Sequence, residues 1–286
     1  MKKMKSQSAM EYLMTYGWAI LVIAVVLGIL FQLGVFGNAN LSPKATPGSC
    51  EVQRTTASIS LEGMCQGELP QDVAVFTASM PGQIVSGSIF HKVGQLTFTA
   101  WVDEYNTNSC WQNIIELSNT ILSLGIGITC SSQAVIRWST PLIQPGGGSI
   151  PLNSWHFVAG IWNGSNNTLS AYLDGTLVTP ITAGSGTTSY TVTTYTLGGH
   201  SPYTGMSSFS GEISNVQVYN TSLSSTEIKA LYQEGIGGAP VRPQSIMEWW
   251  PLNSNLNDYS GSNDNGQAVS AGLGYNNFWT NGYSAP

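Results

Sequence analysis

Charged residues are scarce in this chain. Asp, Glu, Lys and Arg together make up 8% of its 286 residues, whereas an ordinary soluble domain carries about 25%. The positive charges beyond residue 5 are scattered, so no basic run could neutralise the phosphates of a nucleic acid. We therefore expect no nucleic acid partner. A surface made of hydroxyl and amide groups is instead typical of an exported β-rich protein or a glycan binder.

Cysteine is also rare. The chain has four: Cys50, Cys65, Cys110 and Cys130. None has the C-x-x-C spacing of a zinc site, and no histidine lies close enough to suggest one. An even number of cysteines in an exported chain favours disulfides, and four cysteines allow three pairings. We favour Cys50 with Cys65 and Cys110 with Cys130, because each pair closes a short local loop; free buried thiols are the alternative.

Recognisable catalytic motifs are missing. Glycoside hydrolysis needs two carboxylates about 5 to 9 Å apart, commonly presented from one strand as E-x-D-x-x-E, and this spacing does not occur. Asp103 and Glu104 are adjacent and would point to opposite faces of a strand, while Glu212 stands alone. The three histidines have no serine or cysteine motif beside them: His91, His156 and His200. The sequence therefore predicts a protein that is not an enzyme.

One long apolar run is present near the amino terminus. From Gly17 to Phe36 only Gln32 is strongly polar, and about 20 helical residues at 1.5 Å each span roughly 30 Å of hydrocarbon. A core helix of a soluble domain would keep one polar face, which this run lacks. The run predicts a transmembrane helix. The lysines among residues 1–5 should stay in the cytoplasm, so the chain beyond the run is expected outside.

The residues just before the run are specific. Ser6, Gln7 and Ser8 form a polar turn, and Glu11 lies just inside the apolar stretch. The segment QSAMEYLMTYGWAILVI resembles the class III signal peptides of archaeal type IV pilin-like proteins, although Ser6 stands where that family usually has glycine. The resemblance implies cleavage by a prepilin peptidase between Ser6 and Gln7. It also implies that Glu11 meets the new amino terminus of a neighbouring pilin-like subunit.

The rest of the chain alternates apolar and polar residues, with Gly and Ser punctuation every 8 to 12 residues, which is the pattern of short strands. Nine strands are predicted: Ile84–Phe90, Leu96–Val102, Asn113–Leu117, Leu122–Ile128, Val135–Trp138, Trp155–Trp162, Thr168–Leu173, Tyr190–Leu197 and Phe209–Tyr219. Strands without intervening helices favour a sandwich.

Two passages are more specific than the general pattern. Trp155–Gly175 predicts a hairpin that ends in an Asp-Gly turn. Phe209–Tyr219 leads into a short helix, in which Ser224 and Glu227 form a capping box. Together they resemble a laminin-G-like, concanavalin A-like jelly-roll domain. The resemblance implies a mainly β fold, here carried on the long amino-terminal helix, and a role in binding.

Candidate binding residues follow from this resemblance. Aromatic side chains in or beside loops can stack on sugar rings, and the candidates are Trp111, Trp138, Tyr195 and Tyr203. Most such aromatics simply fill the space between two sheets, which is the alternative. Related domains often hold calcium with loop carboxylates and carbonyls, and the candidates are Asp258, Asn263, Asp264 and Asn265. The alternative for these four is an ordinary polar turn.

The predicted organisation has five parts. They are a leader peptide (1–6), a transmembrane or pilin-type helix (7–37), a stalk with a disulfide loop (38–70), a concanavalin A-like domain (71–239) and a carboxyl-terminal segment that completes the sandwich (240–286). The last part contains MEWWPLN, which resembles the phrase that normally opens this family's sandwich. We expect Ile246–Leu252 to return as a strand, with Trp249 or Trp250 inward. The competing hypothesis is that it fills the same place in a neighbouring subunit.

These features predict an archaeal type IV pilin-like protein at the cell surface, in the membrane or in an extracellular filament. Its helix would contact the membrane, the prepilin peptidase and other subunits, and its head would mediate adhesion by binding extracellular glycans or other surfaces. One alternative is an anchored lectin that never enters a filament. A second is an anchored glycan hydrolase.

The first testable prediction concerns processing. We expect the native protein to begin at Gln7, because the basic leader and the register of Gln7 and Glu11 are those of a prepilin that keeps its apolar helix. Amino-terminal sequencing of the protein isolated from its own membranes measures this. A start at residue 38 or later would contradict the pilin-like interpretation.

Overall fold

The computed structural model describes residues 9–32, 50–53, 60–63, 69–76, 84–85, 91–106, 112–118, 123–129, 134–139, 142–143, 148–182, 188–199, 208–268, 273–277 and 283–286. The chain divides into two compact units, Met1–Ala45 and Thr46–Pro286. The second unit is called the head below.

The first unit contains one helix, α1, which spans Ala9–Gln32. The side chains of residues 16–27 are all exposed within it, among them Trp18, Ile20 and Leu21. In the part of the chain that the structure describes, no helix has the length and apolar character required to cross a membrane.

The head is built from strands. In chain order they are β1 (Cys50–Gln53), β2 (Ser60–Gly63), β3 (Asp72–Phe76), β4 (Ile84–Val85), β5 (His91–Val93), β6 (Gln95–Glu104), β7 (Gln112–Ser118), β8 (Ser123–Ile128), β9 (Ala134–Ser139), β10 (Leu142–Ile143), β11 (Trp155–Asn163), β12 (Thr168–Leu173), β13 (Thr176–Thr182), β14 (Tyr190–Val192), β15 (Thr194–Leu197), β16 (Gly211–Tyr219), β17 (Ile246–Trp250), β18 (Gln267–Ala268) and β19 (Leu273–Asn277). A helix, α2 (Ser225–Glu234), and a 3-10 turn (Pro243–Ser245) lie between β16 and β17.

Two antiparallel sheets form the sandwich. The seven-stranded sheet has the order β10-β9-β8-β7-β15-β4-β18, and the eight-stranded sheet has the order β13-β12-β11-β6-β16-β3-β19, with β17 also paired to β16. Two small pairs, β1-β2 and β14-β5, stand apart from them. The mainly β sandwich that the sequence predicts is therefore confirmed.

Apolar side chains fill both sides of the eight-stranded sheet. Between the two sheets, Phe98 and Val102 of β6 pack in one cluster with Ile115 and Leu197 of the opposite sheet. On the outer face, Trp101 belongs to a second cluster that is covered by α2. Strand β6 is therefore buried on both faces, including the threonines Thr97 and Thr99.

Helix α2 closes the outer face of this sheet. Its capping box is present as predicted: the Ser224 side chain accepts from the Glu227 backbone N–H, and the Glu227 side chain accepts from the Ser224 backbone N–H. Ile228 and Leu231 are buried, and the ring of Tyr232 stacks on Trp101 with 5.8 Å between ring centroids. The cap holds the start of the helix, and its apolar face covers the sheet.

The carboxyl-terminal segment returns to the same sandwich. Strand β17 pairs with β16 of its own chain, beyond the part of β16 that pairs with β3. Trp249 enters the outer cluster, and Trp250 enters the core between the sheets. Strand β19 then extends the sheet beside β3, and β18 pairs with β4 in the opposite sheet. Residues from the end of the chain thus contribute to both sheets.

Two predicted strands differ from the observed ones. Tyr190–Leu197 is not one strand, because β14 pairs with β5 whereas β15 pairs with β7 and β4. The chain changes partners at Thr193, whose N–H and hydroxyl both donate to the Ser118 carbonyl. Of the predicted strand Ile84–Phe90, the structure describes Ile84–Val85.

The second prediction tests the contribution of β17 to the fold. Trp250 is 1% exposed, and its indole N–H donates to the Asp264 carbonyl at 3.0 Å. Trp250→Ala should lower the free energy of unfolding by about 3 to 5 kcal/mol, because it leaves a large cavity. Chemical denaturation of the full-length protein measures this. The control is Leu177→Ala, at a side chain that is 42% exposed, which should change the free energy by less than about 0.5 kcal/mol. Equal effects would contradict a structural role for β17.

Candidate functional site

The four aromatic residues that were predicted to bind glycans differ in where they lie in the structure. Trp111 and Tyr203 lie outside the described residues, and Trp138 is described only as a backbone position in β9. Tyr195 was predicted to lie in or beside a loop, and this is wrong. It lies in β15, is 1% exposed, and packs edge-on against Trp250 with 5.4 Å between ring centroids. Because its ring is enclosed in the core, it has no free face for a sugar.

The processing and disulfide residues are mostly outside the described part of the chain. Ser6, Gln7, Cys65, Cys110 and Cys130 are all in this group, and Glu11 is described only as a position in α1. Cys50 begins β1, and the antiparallel register pairs it with Gly63, two residues before Cys65 in the sequence. The disulfide pairings stay predictions.

A polar patch lies where β6 ends, and it consists of Asp103, Tyr105, Glu212 and Asn276. The register of β6 and β16 places Glu212 directly opposite Asp103. Opposite residues of neighbouring strands share one face of the sheet, with Cβ atoms about 5 Å apart. Asn276 of β19 donates to Glu212 Oε1 at 3.2 Å, and the Tyr105 hydroxyl also donates to the Glu212 carboxylate.

The two carboxyl groups of the polar patch affect each other. Burial and, next, the charge of Glu212 raise the pKa of Asp103 to about 6, and the nearby His156 opposes this shift. Burial and the hydrogen bond to Glu212 also raise the pKa of Tyr105. Asp103 is 7% exposed and Tyr105 is 37% exposed. The patch therefore presents a tyrosine and polar groups to solvent, with a protonatable carboxyl beneath them.

Sequence reasoning treated Glu212 as isolated, and this is wrong. Asp103 and Glu212 are 109 positions apart, and only the register of β6 with β16 brings them together. No short-range spacing encodes that register. The usable signal was weaker: Asp103 directly follows the predicted strand Leu96–Val102, and Glu212 is the one acid within the predicted strand Phe209–Tyr219.

His156 also has partners that its local sequence did not reveal. Its Nε2 lies 3.0 Å from Ser154 Oγ, and its Nδ1 lies 2.8 Å from Asp174 Oδ2. A serine thus lies beside this histidine in space, although no sequence motif predicted it. The Ser154 hydroxyl is also placed to donate to the Pro151 carbonyl, and Asp174 Oδ1 accepts from the Phe157 N–H. These further bonds hold together the open end of the β11-β12 hairpin. We therefore assign Ser154, His156 and Asp174 a structural role.

The predicted calcium loop is ordered by its own side chains. Asp258 accepts hydrogen bonds from the backbone N–H groups of Trp249, Ser260 and Asp264. The Asn265 side-chain oxygen accepts from the Asp258 N–H. The oxygens of Asp258 thus hold the turn, whereas calcium needs six to eight oxygen ligands directed at one point. These residues fit a polar turn better than a calcium site. The exception is Asp264, whose side chain lies near those of His91 and Glu248.

Comparison with known families agrees with the observed architecture. Residues 81–229 match the family described as the concanavalin A-like lectin/glucanases superfamily. The match covers more than half of the 286 residues. The chain belongs to this superfamily, and its head is a domain of the laminin-G-like, carbohydrate-binding type.

Solved structures show the same fold at low sequence identity. A native heptameric SAP-like pentraxin from Limulus polyphemus superposes with a TM-score of 0.56 and 14% identity, over 73% of this chain and 96% of that one. A protein from Bacteroides ovatus, provisionally described as carbohydrate binding, gives 0.55 and 13%, over 73% of this chain and 60% of that one. At such identities the similarity concerns the fold alone. A search of curated proteins gives no significant match.

The third prediction concerns pH. The folded protein keeps the Asp103 proton up to about pH 6, whereas the unfolded chain releases it near 3.8. The stabilisation from this group is therefore complete below pH 3.8 and is lost as the pH rises through 6. Asp103→Asn should raise the melting temperature relative to wild type more at about pH 7 than at about pH 4, as measured by calorimetry.

Glu212→Gln provides the companion measurement. Removing the neighbouring charge should lower the pKa of Asp103 in the folded protein, so the loss of stability should be smaller and should be complete at a lower pH than in the wild type. A difference between Asp103→Asn and wild type that is the same at both pH values would contradict this account of the polar patch.

Proposed function

We propose that this chain is an archaeal type IV pilin-like cell-surface protein whose head mediates adhesion by binding glycans. The polar patch, on a head of the carbohydrate-binding type, is the observation that supports glycan binding. In this patch Tyr105, which is 37% exposed, lies beside the carboxylate of Glu212 and the exposed amide of Asn276. Sugar rings bind to such groups through their C–H faces and their hydroxyls.

The negative charge of the polar patch limits the class of glycan that we expect to bind. The carboxylate of Glu212 lies at its centre, and Asp103 adds a second negative charge above about pH 6. Like charges across an interface disfavour binding, so we expect neutral or amino sugars rather than uronic or sialic acids. The sequence-predicted candidates Trp111, Trp138 and Tyr203 stay predictions.

The anchor part of the proposal depends on the amino-terminal helix. All described side chains of residues 16–27 are exposed, and most are large and apolar. Such a surface needs lipid or other helices to cover it. We propose that the longer apolar run from Gly17 to Phe36 crosses the membrane and that Glu11 pairs with a neighbouring subunit. Mass spectrometry of isolated surface filaments tests this, because an anchored lectin outside filaments would be absent from them.

Glycan hydrolysis is a second candidate function, and one observation favours it. Asp103 and Glu212 are opposite each other on neighbouring strands, so two carboxyl groups share one face of the sheet, and glycoside hydrolysis uses a pair of carboxyl groups. Two features favour binding instead. Asp103 is 7% exposed, which limits access for a glycosidic oxygen, and Glu212 is already hydrogen-bonded to Tyr105 and Asn276.

The fourth prediction tests the binding surface. Tyr105→Ala should weaken glycan binding by about tenfold, because an aromatic contact of this kind contributes roughly 1 kcal/mol or more. The matched control is Tyr275→Ala, since Tyr275 is also 37% exposed but its neighbour in β19, Asn276, is the residue that faces the patch. A glycan array followed by titration of the best ligand with the full-length protein measures both.

Three outcomes can be distinguished. Loss in Tyr105→Ala alone supports the polar patch. Equal loss or equal retention in both variants contradicts it. Release of reducing ends from a polysaccharide panel, abolished by Glu212→Gln, would replace binding by hydrolysis as the function of the same residues.

A further inference from the structure

A buried glutamate in β17 has no evident role in the fold. The side chain of Glu248 is 0% exposed, and its neighbours in the sequence, Met247 and Trp249, are also buried. The polar groups beside it are the Tyr195 hydroxyl and the Asp264 carboxyl, and neither of them is a cation. A buried carboxylate is normally balanced by a cation or a metal ion.

Two metal-binding side chains face this carboxyl. His91 Nε2 lies 3.7 Å from Glu248 Oε1 and also 3.7 Å from Asp264 Oδ2. One ligand atom of each of the three residues lies within 4.8 Å of the others. The three residues come from β5, β17 and the loop after β17. His91 and Asp264 are 37% and 23% exposed, so the group is open to solvent on one side.

The donor set indicates the class of ion. Zinc binds imidazole nitrogen and carboxylate oxygen at about 2.0 to 2.2 Å, so neighbouring ligand atoms of a tetrahedral site are about 3.3 Å apart. Small side-chain rotations would bring the three atoms from their present separations to that distance. Calcium needs six to eight oxygens and binds imidazole poorly. One nitrogen and two carboxylates, with an open side for water, fit a zinc-class ion.

We propose that His91, Glu248 and Asp264 bind a divalent transition metal ion of the zinc class. The ion would supply the positive partner that the Glu248 carboxylate lacks. It would also join β17 and the loop that carries Asp264 to β5, which lies far earlier in the sequence. Its role would be structural, and it is independent of glycan binding.

The protonation of Glu248 agrees with this arrangement. Burial, followed by the charges of Asp258 and Asp264, raises the pKa of Glu248 to about 10. Without a cation the group therefore keeps its proton at neutral pH. A bound metal ion would take the place of that proton, as metal ions do at other carboxylate and thiol ligands.

The experiment uses full-length protein that has been treated with a chelator and dialysed. Zinc chloride alone is then added, and bound zinc is measured by elemental mass spectrometry after gel filtration, with the melting temperature measured in parallel. We expect one zinc ion per chain and a melting temperature that rises with zinc and saturates, because the ion binds only the folded state. Calcium chloride at the same concentration should cause no such rise.

Variants locate the site. His91→Gln and Asp264→Asn change partly exposed side chains and should fold, yet each should weaken zinc binding by more than about tenfold. Glu248→Gln should also lose zinc, and its metal-free form should be at least as stable as the wild type, because a neutral amide replaces a buried acid. His156→Gln is the control for binding by an unrelated histidine and should retain one zinc ion.

Several results would overturn the proposal. They are no zinc uptake by the wild type, undiminished uptake by His91→Gln or Asp264→Asn, and loss of uptake in His156→Gln alone. Stabilisation by calcium in place of zinc would also overturn it, because the ion would then belong to a different class. Substitution with cobalt adds a spectroscopic readout, since a site with few ligands gives visible absorption that the variants at His91 and Asp264 should lack.

Discussion

The attachment of β17 to β16 is the interaction on which the head depends. Trp249 and Trp250 are adjacent in sequence and so enter opposite faces of the same sheet. Each indole N–H has an acceptor: Asn215 Oδ1 at 2.8 Å for Trp249, and the Asp264 carbonyl at 3.0 Å for Trp250. One short strand therefore holds together the core between the sheets, the outer cluster under α2 and the polar loop that follows it.

That arrangement also explains where the polar groups of the head lie. The sandwich buries β6 and β16 on both faces, so acids can reach solvent only where these strands begin or end. Asp103 and Glu212 meet at such an end, and Glu248 lies in a strand whose other residues are all buried. The first pair forms part of a surface that can bind a ligand, whereas the second position is costly unless a proton or a cation neutralises it. The two acidic sites therefore differ in chemistry because they differ in burial.

Local features of the head were predictable from sequence. Alternation of apolar residues located most strands, and the Ser224 and Glu227 pair identified the start of α2, because these signals act over a few residues. The phrase containing Trp249 and Trp250 indicated a strand although it follows the helix. Features set by long-range register were not predictable. The burial of Tyr195 depends on the pairing of β15 with β7, and the pairing of Asp103 with Glu212 depends on the alignment of two distant strands.

The closing strands follow helix α2 in the sequence, and this order affects how the head is made. The Asp72 N–H donates to the side chain of Asn253, 181 residues later in the sequence. Strand β3 also pairs with β19, which is synthesised later still. A ribosome releases residues in order, so β3, β4 and β16 are complete while their last partners are still unsynthesised. Their open edges offer unpaired backbone groups to any other strand during that interval. The sandwich is therefore completed only after β19 has been synthesised, and a head that lacks β17 to β19 keeps exposed strand edges.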